Sequence, residues 1–142
     1  MPSHKDLYRQ YVKALGITDD AARERELDAL LASDFVAHDL VAAFPPGGAT
    51  ALKTFRRLVK TAFPDQVMII EDLIEEDDRV ASRQIITGTH LGPYMGIGST
   101  GTQIAIQLLE IVRIRDGRIA ERWVSFDRGG LLDTLTSNGR HA

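Results

Sequence analysis

The chain has 142 residues, a formal net charge of −3 and no cysteine. That length suits a single domain, residues 1–142, with room for a real core. Without cysteine there is no disulfide framework, thiolate nucleophile or cysteine metal site, and the mixed charges form no basic stripe that nucleic acid would need.

The N-terminal MPSHKDLYRQ is polar and lacks the apolar segment of a secretion signal, and no apolar run approaches the roughly 20 residues of a membrane span. The expectation is a soluble, cytoplasmic protein. Ser3 with Asp6 three residues on resembles a capping box. Leu7, Tyr8, Tyr11, Val12 and Leu15 then fall on one helical face, and Gly16 ends the run. Thr18-Asp19-Asp20 caps a second helix carrying Ala22, Leu27, Leu30 and Leu31 inward, with Arg23 to Glu26 as a solvated face. Asp34 to Asp39 reads as a short strand or extended segment, and Phe44-Pro-Pro-Gly-Gly48 as a breaker. Thr50 caps a third helix with Leu52, Phe55, Val59, Ala62 and Phe63 inward, stopped by Pro64.

From there the pattern changes to strands. Gln66 to Ile74 and Arg79 to His90 are joined by the acidic turn Glu75 to Asp78, and Gly92 to Gly101 is a glycine-rich loop. Thr102 to Leu132 reads as a hairpin about Asp116-Gly117, because both central residues of a two-residue turn need positive φ. Regular alternation from that turn pairs Arg115 with Arg118, Val112 with Glu121, Glu110 with Trp123 and Ile106 with Asp127. A short helical turn near Leu131 to Leu135 completes the chain. Three helices followed by four long strands imply an α+β domain: a cone-shaped, curved antiparallel sheet covered by three N-terminal helices. Such a cone has one open mouth and suits a small, mainly apolar ligand.

Several spaced residues are similar to a known family. His38-Asp39, Phe63-Pro-Asp65, Ile70-Glu-Asp-Leu-Ile74, Asp78-Arg-Val-Ala81 and Arg83 are followed by Gly88-Thr-His-Leu-Gly92, Gly96 and Thr100-Gly101. Asp116-Gly-Arg-Ile119, Glu121, Trp123, Asp127 and Gly130-Leu-Leu132 close the set. Together, over roughly Phe35 to Leu135, they resemble the SnoaL-like polyketide cyclases and related ester cyclases of the nuclear-transport-factor-2-like superfamily, an α+β barrel. The resemblance implies an intramolecular aldol closure without metal or organic cofactor, with Asp127 in the place of the general acid/base. Two positions depart from the family pattern: Arg113 stands where the cyclases carry a pocket histidine, and Thr134-Leu-Thr136 replaces Gln-Leu-Gly.

Each candidate has a plainer alternative. Asp127 is either the acid/base, its pKa raised by desolvation, or a strand-end carboxylate capping the Gly129-Gly130 turn. Alternation sets it with Ser125, Trp123 and Glu121, opposite Arg113, so sharing a cavity with Arg113 requires a bulge near Val124 to Asp127. Arg83 either binds a substrate oxygen or pairs with an acid on the sheet. The resemblance makes His38 a pocket residue. His90 contacts substrate or bonds a loop backbone, Trp123 lines an aromatic pocket or packs in the core, and Tyr94 with Met95 forms a lip over the mouth. No ligand pair has metal-site spacing.

Four functions follow: a cyclase acting through Asp127 on a small hydrophobic or polyketide-like ligand, another cofactor-free enzyme on the same cone, a ligand-binding module, or a purely associative protein. An epoxide hydrolase would want an aspartate where Ile85 stands. A ketosteroid-type isomerase could use Tyr8 or Tyr11 but has no clear second acid, whereas a hydroxylase shares most of the motifs. The apolar outer sheet face fits a homodimer or higher homo-oligomer.

Overall fold

The computed structural model describes residues 2–40 and 47–140, with the backbone alone at 138–140. The breaker at Phe44-Pro45-Pro46 lies outside the described residues. The elements are α1 (His4–Leu15), α2 (Asp20–Leu30), β1 (Leu31–Ala37), a 3-10 turn (His38–Leu40), α3 (Ala49–Ala62), β2 (Val67–Glu76), β3 (Arg79–Thr89), β4 (Gln103–Arg115), β5 (Arg118–Phe126) and α4 (Arg128–Arg140). None of the described helices is long and apolar enough to cross a membrane.

Local chemistry sets most boundaries. Ser3 caps α1 by accepting from Asp6 N, and Asp19 caps α2 by accepting from Ala22 N. Leu7, Tyr8, Tyr11, Val12 and Leu15 are all buried. At the Asp116-Gly117 turn both residues have positive φ, 52° and 71°, as a turn matching the strand twist requires. Other details differ from the sequence expectation. The α3 N-cap is Gly48 rather than Thr50, with no side-chain capping bond. The C-terminal turn is a helix of 13 residues. Arg23 is wholly buried instead of solvated, because its guanidinium satisfies the Ile17 carbonyl (2.9 Å) at the α1–α2 turn and pairs with Asp20.

The strands form one five-stranded sheet in the order β1-β5-β4-β3-β2. Four strands are antiparallel neighbours, whereas β1 runs parallel to β5. Helices rather than a hairpin lead into β1, so nothing forces it antiparallel. Two single-residue bulges interrupt the ladders. Glu71 is extra in β2, and Ala120 is extra in β5, between the pairs Ile114–Ile119 and Arg113–Glu121. The second bulge moves the expected hairpin register by one: Val112 faces Arg122, and Glu110 faces Val124. Bulges bend and twist a strand, and this sheet curls around the helices.

Inside the curl, Tyr8, Tyr11, Phe35, Leu52, Val80, Val112 and Ile119 form the main core. Beside it lies a buried polar cluster. The Glu110 carboxylate accepts from Tyr8 Oη (2.5 Å) and Tyr11 Oη (3.1 Å). Arg122 donates twice to Asp39 (3.0 and 2.6 Å) and once to Tyr11 Oη (3.2 Å). Gln84 donates to Tyr8 Oη (2.7 Å). Burial pushes the Glu110 pKa up, although Arg122 and the two tyrosines oppose it. Burial also works against the Arg122 cation, yet Tyr11, Glu110 and Asp39 outweigh it and hold its pKa above the usual arginine range. Removing that cation strands the buried Glu110 and the partly buried Asp39, and breaking a buried pair typically costs about 3–5 kcal/mol. Arg122→Met is therefore expected to lower the unfolding free energy by about that amount in urea titrations, with the slope unchanged. A loss under about 1 kcal/mol would show that the cluster is not held by this cation.

Candidate active site

The open end of the curl holds a small hollow of about 70 Å³. Its walls include Phe55, Arg56 and Val59 from α3, Phe63 at the α3 C-cap, Ile104, Ile106 and Leu108 from β4, Phe126 from β5, Tyr94 from the 90–102 loop and Leu131 from α4. Small-molecule sites usually measure roughly 300–1,000 Å³. The hollow is thus almost filled, chiefly because α4 and the loop press side chains into it. Leu131 and Leu135 are buried against Val59, Phe63 and Tyr94.

Asp127 stands where β5 turns into α4. Its side chain is exposed and occupies the N-cap position of α4, with Oδ1 accepting from Gly130 N at 2.8 Å and its carbonyl accepting from Leu131 N at 3.1 Å. A Cβ on Gly130 would run into this carboxylate, so the glycine makes room for it. The carboxylate does not lie in the hollow; it lines a separate, solvent-open notch of about 440 Å³ between α4 and the β4 edge. That edge is bare because β5 stops at Phe126 opposite Leu108, leaving residues 103–107 paired with β3 alone. Ile104, Ile106 and Leu131 belong to both the hollow and the notch. One helical side chain, Leu131, therefore helps to partition the two.

Four residues expected around a substrate, His38, Arg83, Arg113 and Trp123, lie instead on the outer face of the sheet. There is no bulge near Val124 to Asp127; the bulge at Ala120 sets Arg113 beside Glu121 and next to Trp123 on the face opposite the hollow. The His38 ring stacks on Trp123 (centroids 4.7 Å apart, 6° between planes) and meets Glu121 at 3.2 Å. Arg113 donates to the other Glu121 oxygen at 3.0 Å, lies 3.4 Å from Asp78, and has its guanidinium 5.9 Å from the Trp123 ring centre. Arg83 pairs with Asp72 at 2.7 Å. Asp72, Arg83, Leu109 and Ser125 form one row across the strands, and Ile74, Ala81, Ile111 and Trp123 the next. These rows border an apolar groove of about 360 Å³.

The remaining candidates sit in the 90–102 loop. His90 is fully buried; its Nδ1 accepts from Thr100 N (3.3 Å) and lies 2.9 Å from Thr100 Oγ1, and its ring packs on Phe63. Burial lowers its pKa, so the neutral acceptor form is favoured. Tyr94 turns inward against Phe63, whereas Met95, at φ 48°, is exposed. Gly92 lets the loop lie on α3, since a Cβ there would strike the Thr61 carbonyl.

The charged residue of the wall is not among the sequence candidates. Arg56 lines the hollow at 5% exposure, donating from one nitrogen to the Leu15 carbonyl (2.9 Å) and Gln66 Oε1 (2.8 Å). Its signal was present: Arg56 follows Leu52 by four residues and precedes Val59 by three, on the apolar stripe of α3. A cation at that position has to be buried. Among the described residues no group of His, Asp and Glu is arranged to hold a metal ion.

Comparison with known proteins agrees with this architecture. The family described as SnoaL-like polyketide cyclase matches residues 5–135. IdmH from Streptomyces antibioticus, provisionally described as a polyketide cyclase, superposes with a TM-score of 0.79 at 27% identity, covering 95% of this chain and 99% of its own. AclR from Streptomyces galilaeus, provisionally described as a hydroxylase, gives 0.78 at 26% identity, covering 94% and 81%. TsrD from Streptomyces laurentii gives 0.77 at 26%, covering 91% of each chain. No curated protein matches the chain. With the family match spanning all but the ends and the fold shared with these structures, the chain belongs to the SnoaL-like polyketide cyclase family.

Proposed function

We propose that the chain is a cofactor-independent cyclase-type enzyme in which Asp127 acts as general acid/base on a substrate seated behind Leu131. The observation that carries this reading is the shared partition. Lifting Leu131 joins the hollow to the notch and leaves the Asp127 carboxylate at the rim of one larger chamber. The side chain is held by a single capping bond, a tie worth about 1 kcal/mol. In the proposed reaction the carboxylate removes a proton from the carbon next to a substrate carbonyl. The resulting enolate, delocalised within the substrate, attacks a second carbonyl of the same molecule and forms the new carbon–carbon bond. The carboxylic acid then returns its proton to the new alkoxide. Walls of Phe55, Phe63, Tyr94 and Phe126 suit a flat, apolar, polyketide-like body.

The exposure of Asp127 and its role as a helix cap favour a second reading, a binding protein without chemistry. Asparagine separates the two, because it caps a helix about as well as aspartate but cannot accept the proton. The measurement is α-proton exchange of 2-tetralone in deuterated water, followed by NMR. Asp127→Asn is expected to keep wild-type stability and lose roughly 10²–10⁴-fold of the exchange rate, whereas Asp127→Ala also loses about 1 kcal/mol of stability. Full exchange activity in Asp127→Asn would leave the carboxylate a cap only.

We also propose that two copies associate through the outer sheet face. Val67, Ile69, Ile74, Leu109 and Ile111 are all exposed there, and apolar patches of this extent mark association surfaces. In a two-fold dimer the patch meets itself. Ile111→Glu is expected to shift the protein from dimer to monomer in sedimentation velocity; a wild-type protein that sediments as a monomer would exclude this interface.

A further inference from the structure

Arg56 is a buried cation without a counterion. Among the described residues no carboxylate lies within ion-pair distance, and its Nε–H finds no acceptor. The other interior arginines are matched: Arg23 by Asp20, Arg122 by Asp39. Arg56 has only the carbonyl of Leu15, at the C-terminal end of α1, and the neutral side chain of Gln66. The α1 terminus supplies partial negative charge, equivalent to about half an elementary charge, which does not balance a full cation. Burial, with Arg122 next and Arg23 adding to it, lowers the Arg56 pKa to about 10 although Tyr11 and Glu110 oppose the shift, which leaves it charged at neutral pH. A buried charged group with an unused donor is costly unless a partner completes it.

We infer that Arg56 is the anion anchor of the chamber, and that the ligand carries a carboxylate on an apolar body. The rest of the wall is apolar apart from Gln66 and the Tyr94 hydroxyl. A planar guanidinium suits a carboxylate, and the bonds to Leu15 and Gln66 occupy only one of the nitrogens of this wall residue. A carboxylate fits better than a transient enolate because the uncompensated charge is permanent. The inference uses the chamber proposed above but assigns nothing to Asp127.

The test compares benzoate with its neutral analogue benzamide by calorimetry, in wild-type protein and in Leu131→Ala, where the partition is cut back. Hydrogen bonds to a charged partner contribute about 1.5–3 kcal/mol, so benzoate is expected to bind roughly 10- to 100-fold more tightly than benzamide. Arg56→Met should reduce that preference to within about threefold, and Arg56→Lys, which keeps the charge but loses the planar fork, should be intermediate. If Arg56→Met does not fold, Arg56→Lys together with the benzoate-dependent rise of the wild-type unfolding midpoint carries the test. Asp127→Asn should retain the preference, so loss of acid/base activity and loss of the anchor are read separately. Equal binding of the two probes, no binding of benzoate in Leu131→Ala, or an undiminished preference in Arg56→Met would leave Arg56 as a cap on α1 and overturn the assignment.

Discussion

One extra residue in β5 decides what the curl contains. Because Ala120 interrupts the ladder, Arg122, Val124 and Phe126 turn inward while Glu121, Trp123 and Ser125 turn outward alongside Arg113 and Ile111. A strand's side-chain period is two, so a shift of one residue exchanges every side chain between faces. The inward set joins the Glu110–Tyr8–Tyr11–Asp39 cluster and the wall of the hollow. The outward set builds the Trp123–His38–Arg113 stack beside the apolar groove. Core, hollow and outer face are thus consequences of the same local irregularity.

The interior is electrically uneven. At the narrow end two acids and Arg122 meet two tyrosines in a closed network whose members satisfy one another. Toward the mouth the balance fails at Arg56, whose guanidinium meets the Leu15 carbonyl and the neutral Gln66. Between these regions the hollow is kept small by α4, whose first turn Asp127 caps and whose Leu131 closes the wall. The same carboxylate that caps this helix lines the notch on the other side of Leu131. In the proposed mechanism this helix start would link gating to chemistry through one hydrogen bond.

Features governed by neighbouring residues were legible in the sequence. Ser3 and Asp19 sit before helices as caps, the stripe from Leu7 to Leu15 is buried, and Asp116-Gly117 makes the hairpin. Asp127 with Gly129-Gly130 two residues on signalled the cap that it forms, alongside the role the family resemblance gave it. The Ala120 bulge was not legible. Arg118-Ile-Ala-Glu-Arg122 alternates acceptably with or without an extra residue, and the choice is made by the curvature of the whole sheet. The bulge turns Trp123 outward together with Arg113, whereas only the family resemblance points His38 and Arg113 to a pocket. Arg23 and Arg56 are a different case, since a charged side chain ordinarily marks a solvated face and here it does not. Their positions on buried helical faces were visible, but the carbonyls that receive them belong to other segments of the chain.

The central claim is that α4 opens on its own while the sheet stays folded, bringing Asp127 and the hollow into one chamber. Native-state hydrogen exchange tests it most directly, because local opening and global unfolding differ in free energy and in denaturant dependence. The amides of Leu131 to Leu135 are expected to exchange through an opening that is insensitive to denaturant and leaves Val80 and Val112 protected. Exchange of the α4 amides only through global unfolding, at the same free energy as the core strands, would contradict the account.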